Sequence, residues 1–215
     1  SGLEKVFCVG PVFRAEPSFT SRHMTEFTGW DFEISYIDSH LDVMSEEENL
    51  LVSGFTQLQK TVLPDLEIPL TPFPRITMEE AKEKLGKLGV KPGRKYDLTG
   101  EEEIELSKMI KEETGHDFVF VTDWPAEARP FYHMRYEDKP GITKSFDLLY
   151  KGLEVTTGSQ REHRYDVLIS QAKEKGMNVE SLEDYLNFFK FGCPPHGGAG
   201  IGPGRLVMKI LNIPS

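Results

Sequence analysis

The alternation of apolar and polar positions is clearest from Ser145 to Arg161, where SFDLLYKGLEVTTGSQR predicts two strands. The strands are joined at Lys151-Gly152, because glycine supplies the positive φ that a tight hairpin turn requires. Side chains on a strand alternate between its two faces. On the first strand, one predicted face carries Phe146, Leu148 and Tyr150, and the other carries Ser145, Asp147 and Leu149. On the second strand, one predicted face carries Glu154 and Thr156, and the other carries Leu153, Val155 and Thr157.

Three other apolar stretches, at residues 6–13, 27–37 and 118–122, predict further strands. The polar stretch 17–26 separates the first two, which is typical of an antiparallel pair joined by a long loop. Residues 125–135 are interpreted as a continuation of the sheet. Because the strands come mostly from hairpins and not from βαβ units, the pattern predicts an α+β fold with a mainly antiparallel sheet flanked by helices.

Helices are predicted where a capping box precedes apolar residues at helical spacing. The capping boxes are Ser45-Glu46-Glu47-Glu48, Thr77 with Glu80, and Thr99 with Glu102. Pro64 ends the first helix, and Gly115 follows the third. Two more helices are predicted over 160–175 and 181–189.

The region 63–116 differs in composition from the strands around it. Its first part, residues 63–76, holds four prolines and is interpreted as a connector. The two charged helices that follow are expected to lie on the surface. We therefore expect 63–116 to be a helical surface insertion within a single domain that spans residues 1–215.

Composition narrows the class of protein. The 215 residues carry a formal net charge of −10, so any contact with nucleic acid requires a local patch or another domain. The cysteines Cys8 and Cys193 give no disulfide framework, which favours a cytoplasmic protein. No apolar run is long enough to span a membrane. The chain begins at Ser1 without Met and ends at Ser215, and we expect it to be a piece of a longer protein.

The two carboxylates of the hairpin, Asp147 and Glu154, are the first candidate chemistry. Carboxylates in apolar strands are costly to bury unless each has a cation or a strong donor. Arg161 is one candidate partner, and a divalent metal that carries phosphates is another. For the pair in isolation, a structural salt bridge within the sheet is the simpler interpretation.

A second group of candidates surrounds the loop after the first strand. Arg14 and Glu16 lie at the strand end, Arg22 and His23 in the loop, and Phe27 beyond it. An arginine fork suits carboxylate or phosphate, and an aromatic ring can stack on a base. The alternative is an ion pair between Arg14 and Glu16 beside a solvated loop.

The third candidate is the glycine-rich run from Gly197 to Arg205. Glycines allow a ligand to approach the backbone closely, and the helix that follows offers its N-terminus. The run has no Gly-Lys-Ser/Thr and no surrounding βαβ unit, so it is neither a Walker loop nor a dinucleotide fingerprint. A close strand–helix crossing is the alternative, but a cation at the helix start suggests a bound anion.

Together these segments resemble a known family. FRAE followed by TSRHMTEFTGWDFE resembles motif 2 of the class II aminoacyl-tRNA synthetases, and GAGIGPGRLVM resembles their motif 3. SFDLLYKGLEVTTGSQREHRYD, RPFYHM and PPHGG are similar to the aspartyl branch of archaeal and eukaryotic type. The resemblance runs from Gly2 to about Ile213 and is weakest at 63–116. It implies a catalytic core built on an antiparallel sheet flanked by helices.

The resemblance also implies an ATP site. Arg14 would hold the α-phosphate, and Glu16 and His23 would contact ATP. Arg22 would lie at the pyrophosphate region, and Phe27 would stack on adenine.

The remaining ATP contacts implied by the resemblance come from the hairpin and the glycine run. Asp147 and Glu154 would bind Mg²⁺ bridging the phosphates, and Gly202 would contact ATP. Arg205 would bind the γ-phosphate and stack on adenine from the other side, which makes Arg14 and Arg205 the catalytic residues.

For the amino acid, the resemblance implies a pocket for aspartate. Arg161 would pair with the side-chain carboxylate of aspartate and Arg14 with its α-carboxylate. Asp31, Thr157 and Gly200 match positions that line the same pocket.

The implied activity is ATP-dependent formation of aspartyl-adenylate and transfer of the aspartyl group to tRNA(Asp), by a homodimeric cytoplasmic enzyme. Motif 1 and the anticodon-binding domain have no counterpart in residues 1–215, and Gly204 stands where motif 3 usually has Glu. Contacts with tRNA would therefore come mainly from other parts. The alternatives are an asparaginyl-tRNA ligase or an asparagine synthetase paralogue on the same scaffold, and a non-catalytic interaction module.

Overall fold

The computed structural model describes residues 2–15 and 24–213. Within them, a seven-stranded sheet has the order β1-β2-β7-β6-β5-β4-β3. All neighbouring strands are antiparallel except β3 and β4. The strands are β1 (Lys5–Phe13), β2 (Glu26–Ser35), β3 (Arg75–Thr77), β4 (Phe118–Thr122), β5 (Ser145–Tyr150), β6 (Leu153–Gln160) and β7 (His196–Ile201). This confirms the predicted α+β fold with a mainly antiparallel sheet.

The helices flank this sheet. They are α1 (His40–Thr61), α2 (Met78–Lys87), α3 (Gly100–Thr114), α4 (Tyr165–Glu174), α5 (Glu183–Asn187) and α6 (Pro203–Leu211). Short 3₁₀ turns lie at Ala126–Ala128 and Glu180–Leu182. No helix in the described part of the chain is long and apolar enough to cross a membrane. Thr77 and Thr99 cap α2 and α3 as predicted, and Gly115 ends α3 in the left-handed conformation.

The predicted start of α1 is wrong. The helix begins at His40, where the Ser39 hydroxyl accepts from the Leu41 N–H at 3.0 Å and Asp42 Oδ2 accepts from the Ser39 N–H at 2.9 Å. Glu47 and Glu48 therefore lie inside the helix and are buried. Glu48 accepts the Phe73 N–H at 3.1 Å, so part of the acidic run serves a tertiary contact.

Helix α1 covers one face of the sheet. Its apolar side packs against aromatic residues of β4 and β5, with Phe118 and Tyr150 stacked at a ring distance of 4.2 Å. The α1 residues in this core are Val43, Met44, Leu51 and Phe55. Ala199 and Ile201 of β7 belong to the same core, so Gly198 and Gly200, which alternate with them, face the other side of the sheet.

The segment 63–116 contains the two expected helices, and it is also built into the sheet. Its strand β3 pairs with β4, and α2 and α3 cover Val119, Val121 and Leu149 on the face away from α1. Leu85 and Leu106 are buried there. The helices form a second core, so their position is not confined to the surface.

The central hairpin has the predicted turn, with φ of 47° at Lys151 and 77° at Gly152. Its predicted faces are wrong beyond that turn. Leu148 pairs with Thr156 and Leu149 with Glu154, so Val155 is an extra residue in a β-bulge. The bulge turns Glu154 to the face of Asp147 and Thr157 and leaves Thr156 on the opposite face.

Three other elements differ from the prediction. Residues 125–135 form a 3₁₀ turn and isolated bridges instead of a regular strand. Helix α4 begins at Tyr165, since residues up to Gln160 belong to β6. The predicted helix at 181–189 is divided between a 3₁₀ turn and α5.

Candidate active site

A row of paired residues crosses the sheet on the face turned away from α1. Asp31 of β2 pairs with Gly200 of β7, Gly200 with Thr157 of β6, and Thr157 with Asp147 of β5. The next row contains Glu33, Gly198, Ser159 and Ser145. Because paired residues share a face, the expected residues of the hairpin, β2 and the glycine run meet on one surface.

Gly198 and Gly200 of β7 leave the middle of this surface without side chains. A Cβ on Gly200 would lie 2.9 Å from Asp31 Oδ1. A Cβ on Gly198 would overlap the Phe32 carbonyl oxygen and the carboxyl group of Glu33. The carboxylates of Asp31 and Glu33 therefore lie directly beside the backbone of Gly200 and Gly198, an approach that a side chain at either position would block.

Arg161 lies at one end of the site, just after β6. Its Nε and Nη2 donate to Glu33 Oε1 at 3.0 and 2.7 Å, and its Nη1 donates to Ser159 Oγ at 2.8 Å. The Arg161 side chain is only 17% exposed. The buried His133 lies beside it, and burial together with Arg161 and Arg129 keeps the pKa of His133 well below its usual range.

Asp31 and Arg14 form the neighbouring part of the site. Burial and the adjacent Glu33 raise the pKa of Asp31, and the positive charges of Arg161 and Arg14 oppose that rise. The Arg14 guanidinium lies 5.0 Å from the centre of the Phe27 ring, a distance suited to a cation–π contact. Phe27 shares the face of Asp31, so aromatic and cationic groups meet at this edge.

Asp147 has a cationic partner, but it is Arg129. Arg129 Nη2 lies 2.8 Å from Asp147 Oδ2, and both side chains are buried. The Arg129 guanidinium lies 4.0 Å from the centre of the Trp124 ring. Asp147 Oδ1 is buried and has no hydrogen-bond partner among the described residues.

Glu154 lies beside Asp147 because of the bulge. Its Oε1 accepts from Arg205 Nη1 at 3.2 Å and from Thr157 Oγ1 at 3.4 Å, and its N–H donates to Glu103 at 3.0 Å. Burial, Asp147 and Glu103 raise the pKa of Glu154, although Arg205 opposes the rise. Asp147, Glu154 and Glu103 therefore lie close together at this end of the site, with Arg205 and Arg129 beside them.

Arg205 connects this end to the glycine run. It lies in the first turn of α6, and its Nη1 also donates to the Glu154 carbonyl oxygen at 2.8 Å. Gly202 is the N-cap residue of α6, and its N–H donates to the Val155 carbonyl at 2.8 Å. The start of α6 is thereby fixed against the bulge.

The expected ATP contacts Glu16, Arg22 and His23 lie outside the described residues. The alternative ion pair between Arg14 and Glu16 lies outside them for the same reason. All other expected site residues lie on, or at the edge of, the face described above.

Sequence reasoning missed Glu33 and Arg129. Glu33 follows Asp31 by two positions, so strand periodicity placed both on one face and was a usable signal. Arg129 is the first residue of the segment RPFYHM, in a stretch interpreted as a continuation of the sheet, and no local pattern connects it to Asp147.

The described residues contain no group of three or more His, Cys, Asp or Glu side chains arranged to hold a metal ion. Mg²⁺ is commonly held by one or two carboxylates together with substrate phosphates. Asp147, with an unpartnered buried oxygen, and Glu154, with a raised pKa, have the oxygen chemistry for that arrangement. The residues present therefore fit a magnesium ion that phosphates help to hold.

The sheet order and this surface define a class II aminoacyl-tRNA synthetase catalytic core. Residues 1–215 match the family described as tRNA synthetases class II (D, K and N), and the chain belongs to that family. The resemblance found in the sequence is thereby confirmed.

Individual relatives agree with this assignment. The chain is 45% identical over 220 residues to the aspartate–tRNA(Asp) ligase of Pyrococcus furiosus, a match covering 99% of this chain and 50% of that protein. The aspartyl tRNA synthetase structure from Entamoeba histolytica gives a TM-score of 0.92 at 38% identity, covering 99% of this chain and 46% of that one. The structure of the asparaginyl-tRNA synthetase of Pyrococcus horikoshii complexed with asparaginyl-adenylate gives a TM-score of 0.86 at 33% identity, covering 98% of this chain and 50% of that one. The chain thus spans about half the length of its relatives.

Proposed function

We propose that the full-length protein activates aspartate with ATP to aspartyl-adenylate and transfers the aspartyl group to tRNA(Asp). The observation that carries the proposal is the order of groups along β6. Arg161, Ser159, Thr157 and Glu154 share one face and extend over roughly 20 Å at about 3.3 Å per residue. An aspartate side chain at Arg161 and a triphosphate at Glu154 fit the two ends.

The chemistry proposed is attack of the aspartate α-carboxylate on the α-phosphorus, which forms an acyl–phosphate bond and breaks the bond to the leaving pyrophosphate. Arg14 binds the α-phosphate and the attacking carboxylate, with Phe27 stacked on adenine. Arg205 binds the γ-phosphate near Gly202. Little proton transfer is required, so positioning and charge neutralisation supply most of the rate enhancement.

Mg²⁺, held by Asp147 and Glu154 together with the phosphates, would supply further neutralisation of the triphosphate charge. The protein groups around those carboxylates limit their mutual repulsion, because Arg129 pairs with Asp147 and Arg205 pairs with Glu154. Each carboxylate thus has a cation beside the oxygens that the metal would require.

The full-length protein is proposed to be a cytoplasmic homodimer, with tRNA bound mainly through regions outside residues 1–215. Sedimentation of the full-length protein checks the dimer. A concentration-independent monomer contradicts that part of the proposal.

A second candidate is activation of asparagine by an asparaginyl-tRNA ligase, whereas an asparagine synthetase paralogue would activate aspartate and amidate the activated carboxylate with ammonia. Glu33 favours activation of asparagine, because its Oε2 is buried and has no hydrogen-bond partner in the described ranges 2–15 and 24–213. Arg161 and Glu33 together offer a donor and an acceptor, which matches a carboxamide.

Pyrophosphate exchange by the full-length protein, with aspartate and asparagine in parallel, separates these candidates. Exchange that depends on aspartate, followed by charging of tRNA(Asp), supports the leading proposal. Equal or greater exchange with asparagine contradicts it. Absence of exchange with both amino acids favours the non-catalytic alternative.

A further inference from the structure

The ion pair between Arg129 and Asp147 is fixed from both sides. Arg129 follows the 3₁₀ turn Ala126–Ala128 and lies over the Trp124 ring. The Trp124 indole N–H in turn donates to the Val121 carbonyl at 2.9 Å, so the ring is attached to β4. Asp147 pairs with Val121 in the sheet, so both partners are positioned by the same strand.

The two oxygens of Asp147 have different surroundings. Oδ2 lies 2.8 Å from Arg129, whereas Oδ1 is buried without a hydrogen-bond partner in the described part of the chain. Glu154 provides a second carboxylate on the same face. One oxygen of Asp147 is thereby occupied by protein, and the other remains available for a cation.

We propose that Arg129 is a positioning residue that holds Asp147 by Oδ2 and thereby keeps Oδ1 oriented toward the magnesium ion of the ATP complex. The inference rests on the proposed function, since it requires the metal to be bound by Asp147. Without Arg129, the buried carboxylate would lack the cation that holds Oδ2 and would rotate toward other partners, because an unpaired buried charge is strongly unfavourable. Rotation removes Oδ1 from the metal.

Arginine is required here for its shape as well as its charge. The planar guanidinium lies over the Trp124 ring with its Nη2 2.8 Å from the carboxylate, whereas lysine offers only a point charge. The Mn²⁺ affinity of Arg129→Lys is therefore expected to lie between those of the wild type and Arg129→Gln. Loss of a group that orients a metal ligand typically weakens metal binding about tenfold to a hundredfold.

The test measures metal binding directly, with the full-length protein. Mn²⁺ binding is titrated by electron paramagnetic resonance in the presence of α,β-methylene-ATP. Binding of an aspartyl-sulfamoyl-adenosine, which has no phosphates to bridge, is measured by calorimetry in EDTA. We expect Arg129→Gln to raise the Mn²⁺ dissociation constant about tenfold or more and to change binding of the sulfamoyl compound less than about twofold.

Arg135→Gln is the matched control. Arg135 lies in the same segment, but it pairs with Glu174 at 2.8 and 3.1 Å away from the carboxylates. Mn²⁺ affinity of Arg129→Gln within twofold of this control overturns the inference. If Arg129→Gln does not fold, Arg129→Lys is compared with Arg135→Lys, and equal Mn²⁺ affinities overturn the inference in the same way.

The wild type separates this inference from the proposed function. If wild-type protein binds neither the sulfamoyl compound nor Mn²⁺ with the ATP analogue, the proposed function fails. If wild type binds both and the Arg129 variants behave as their Arg135 controls do, only the positioning role fails.

Discussion

Arg161 donates two hydrogen bonds to one oxygen of Glu33, from Nη2 at 2.7 Å and from Nε at 3.0 Å. The partner suggested by sequence proximity, Glu154, is instead contacted by Arg205. Arg161 is therefore oriented before any substrate binds, and its partner is a carboxylate like that of aspartate. A substrate carboxylate at Arg161 must share or replace the contact with Glu33.

The first prediction concerns Arg161 itself. Arg161→Leu should raise the apparent KM for aspartate by tenfold or more and leave ATP binding nearly unchanged, because leaving a buried hydrogen-bonding group without its partner costs about 1–3 kcal/mol, and more for a charged group. Pyrophosphate exchange at varied aspartate and ATP checks this. Arg135→Leu is the control, and an unchanged KM for aspartate in Arg161→Leu refutes the assignment.

The second prediction concerns Glu33. Glu33→Gln keeps the shape of the side chain above Gly198 but removes the charge that competes for Arg161. The ratio of kcat/KM for aspartate to that for asparagine should rise about tenfold. Measuring both amino acids with the same variant gives the ratio. A shift toward asparagine contradicts the competition between Glu33 and the substrate carboxylate.

The third prediction concerns the metal carboxylates. Glu154→Gln should raise the Mg²⁺ concentration required for half-maximal pyrophosphate exchange, and Asp147→Asn should act in the same direction. The expected change is about tenfold to a hundredfold, as for other altered metal ligands. Glu105→Gln, at a surface ion pair with Lys108, is a control. Unchanged Mg²⁺ dependence in both variants excludes these residues as metal ligands.

The fourth prediction concerns Gly198 of β7. Gly198→Ala should lower the free energy of unfolding by about 1–3 kcal/mol, because its methyl group would overlap the Phe32 carbonyl and the Glu33 carboxyl group. Gly54→Ala is the control, since Gly54 lies inside α1 with open space around its Cβ position. It should raise the free energy of unfolding by about 0.5–1 kcal/mol. Chemical denaturation of both variants tests the contrast.

The fifth prediction concerns the pH dependence of stability, which we attribute to Glu47 of α1. Burial raises the pKa of Glu47 to about 8, and Glu48 and Asp147 add to the rise. The folded state therefore holds a proton that the unfolded state releases near its ordinary pKa of about 4.3. Because the folded state binds this proton more tightly than the unfolded state, the proton stabilises the fold. This stabilisation is complete below the unfolded-state pKa and is lost as the pH rises toward 8.

Glu47→Gln cannot ionise and should escape this loss. The stability of the variant relative to wild type should increase with pH by about 1 kcal/mol per unit between roughly pH 5 and 8 and then level off. Denaturation midpoints measured across that range give the difference. The matched control is Glu46→Gln, because Glu46 is an accessible neighbour paired with Lys5 at 2.9 Å. A pH-independent difference for Glu47→Gln contradicts a raised pKa.

The sequence by itself determined the local structure of this protein. Alternating residues gave the strands, and Gly152 gave the hairpin turn. The capping residues Thr77 and Thr99 gave the starts of two helices. These features depend on steric limits and hydrogen bonds within a few residues, so they can be predicted from the printed sequence. The motifs around Arg14, the hairpin and the glycine run likewise indicated the family.

Only the tertiary structure decided which charged groups meet. A bulge at Val155 turned Glu154 toward Asp147, because register is set by pairing with β5 and not by the β6 sequence alone. The pair of Arg161 with Glu33 joins residues 128 positions apart. Such contacts depend on how strands pair across the whole sheet and on the cost of burying charge, and a local pattern of residues contains neither.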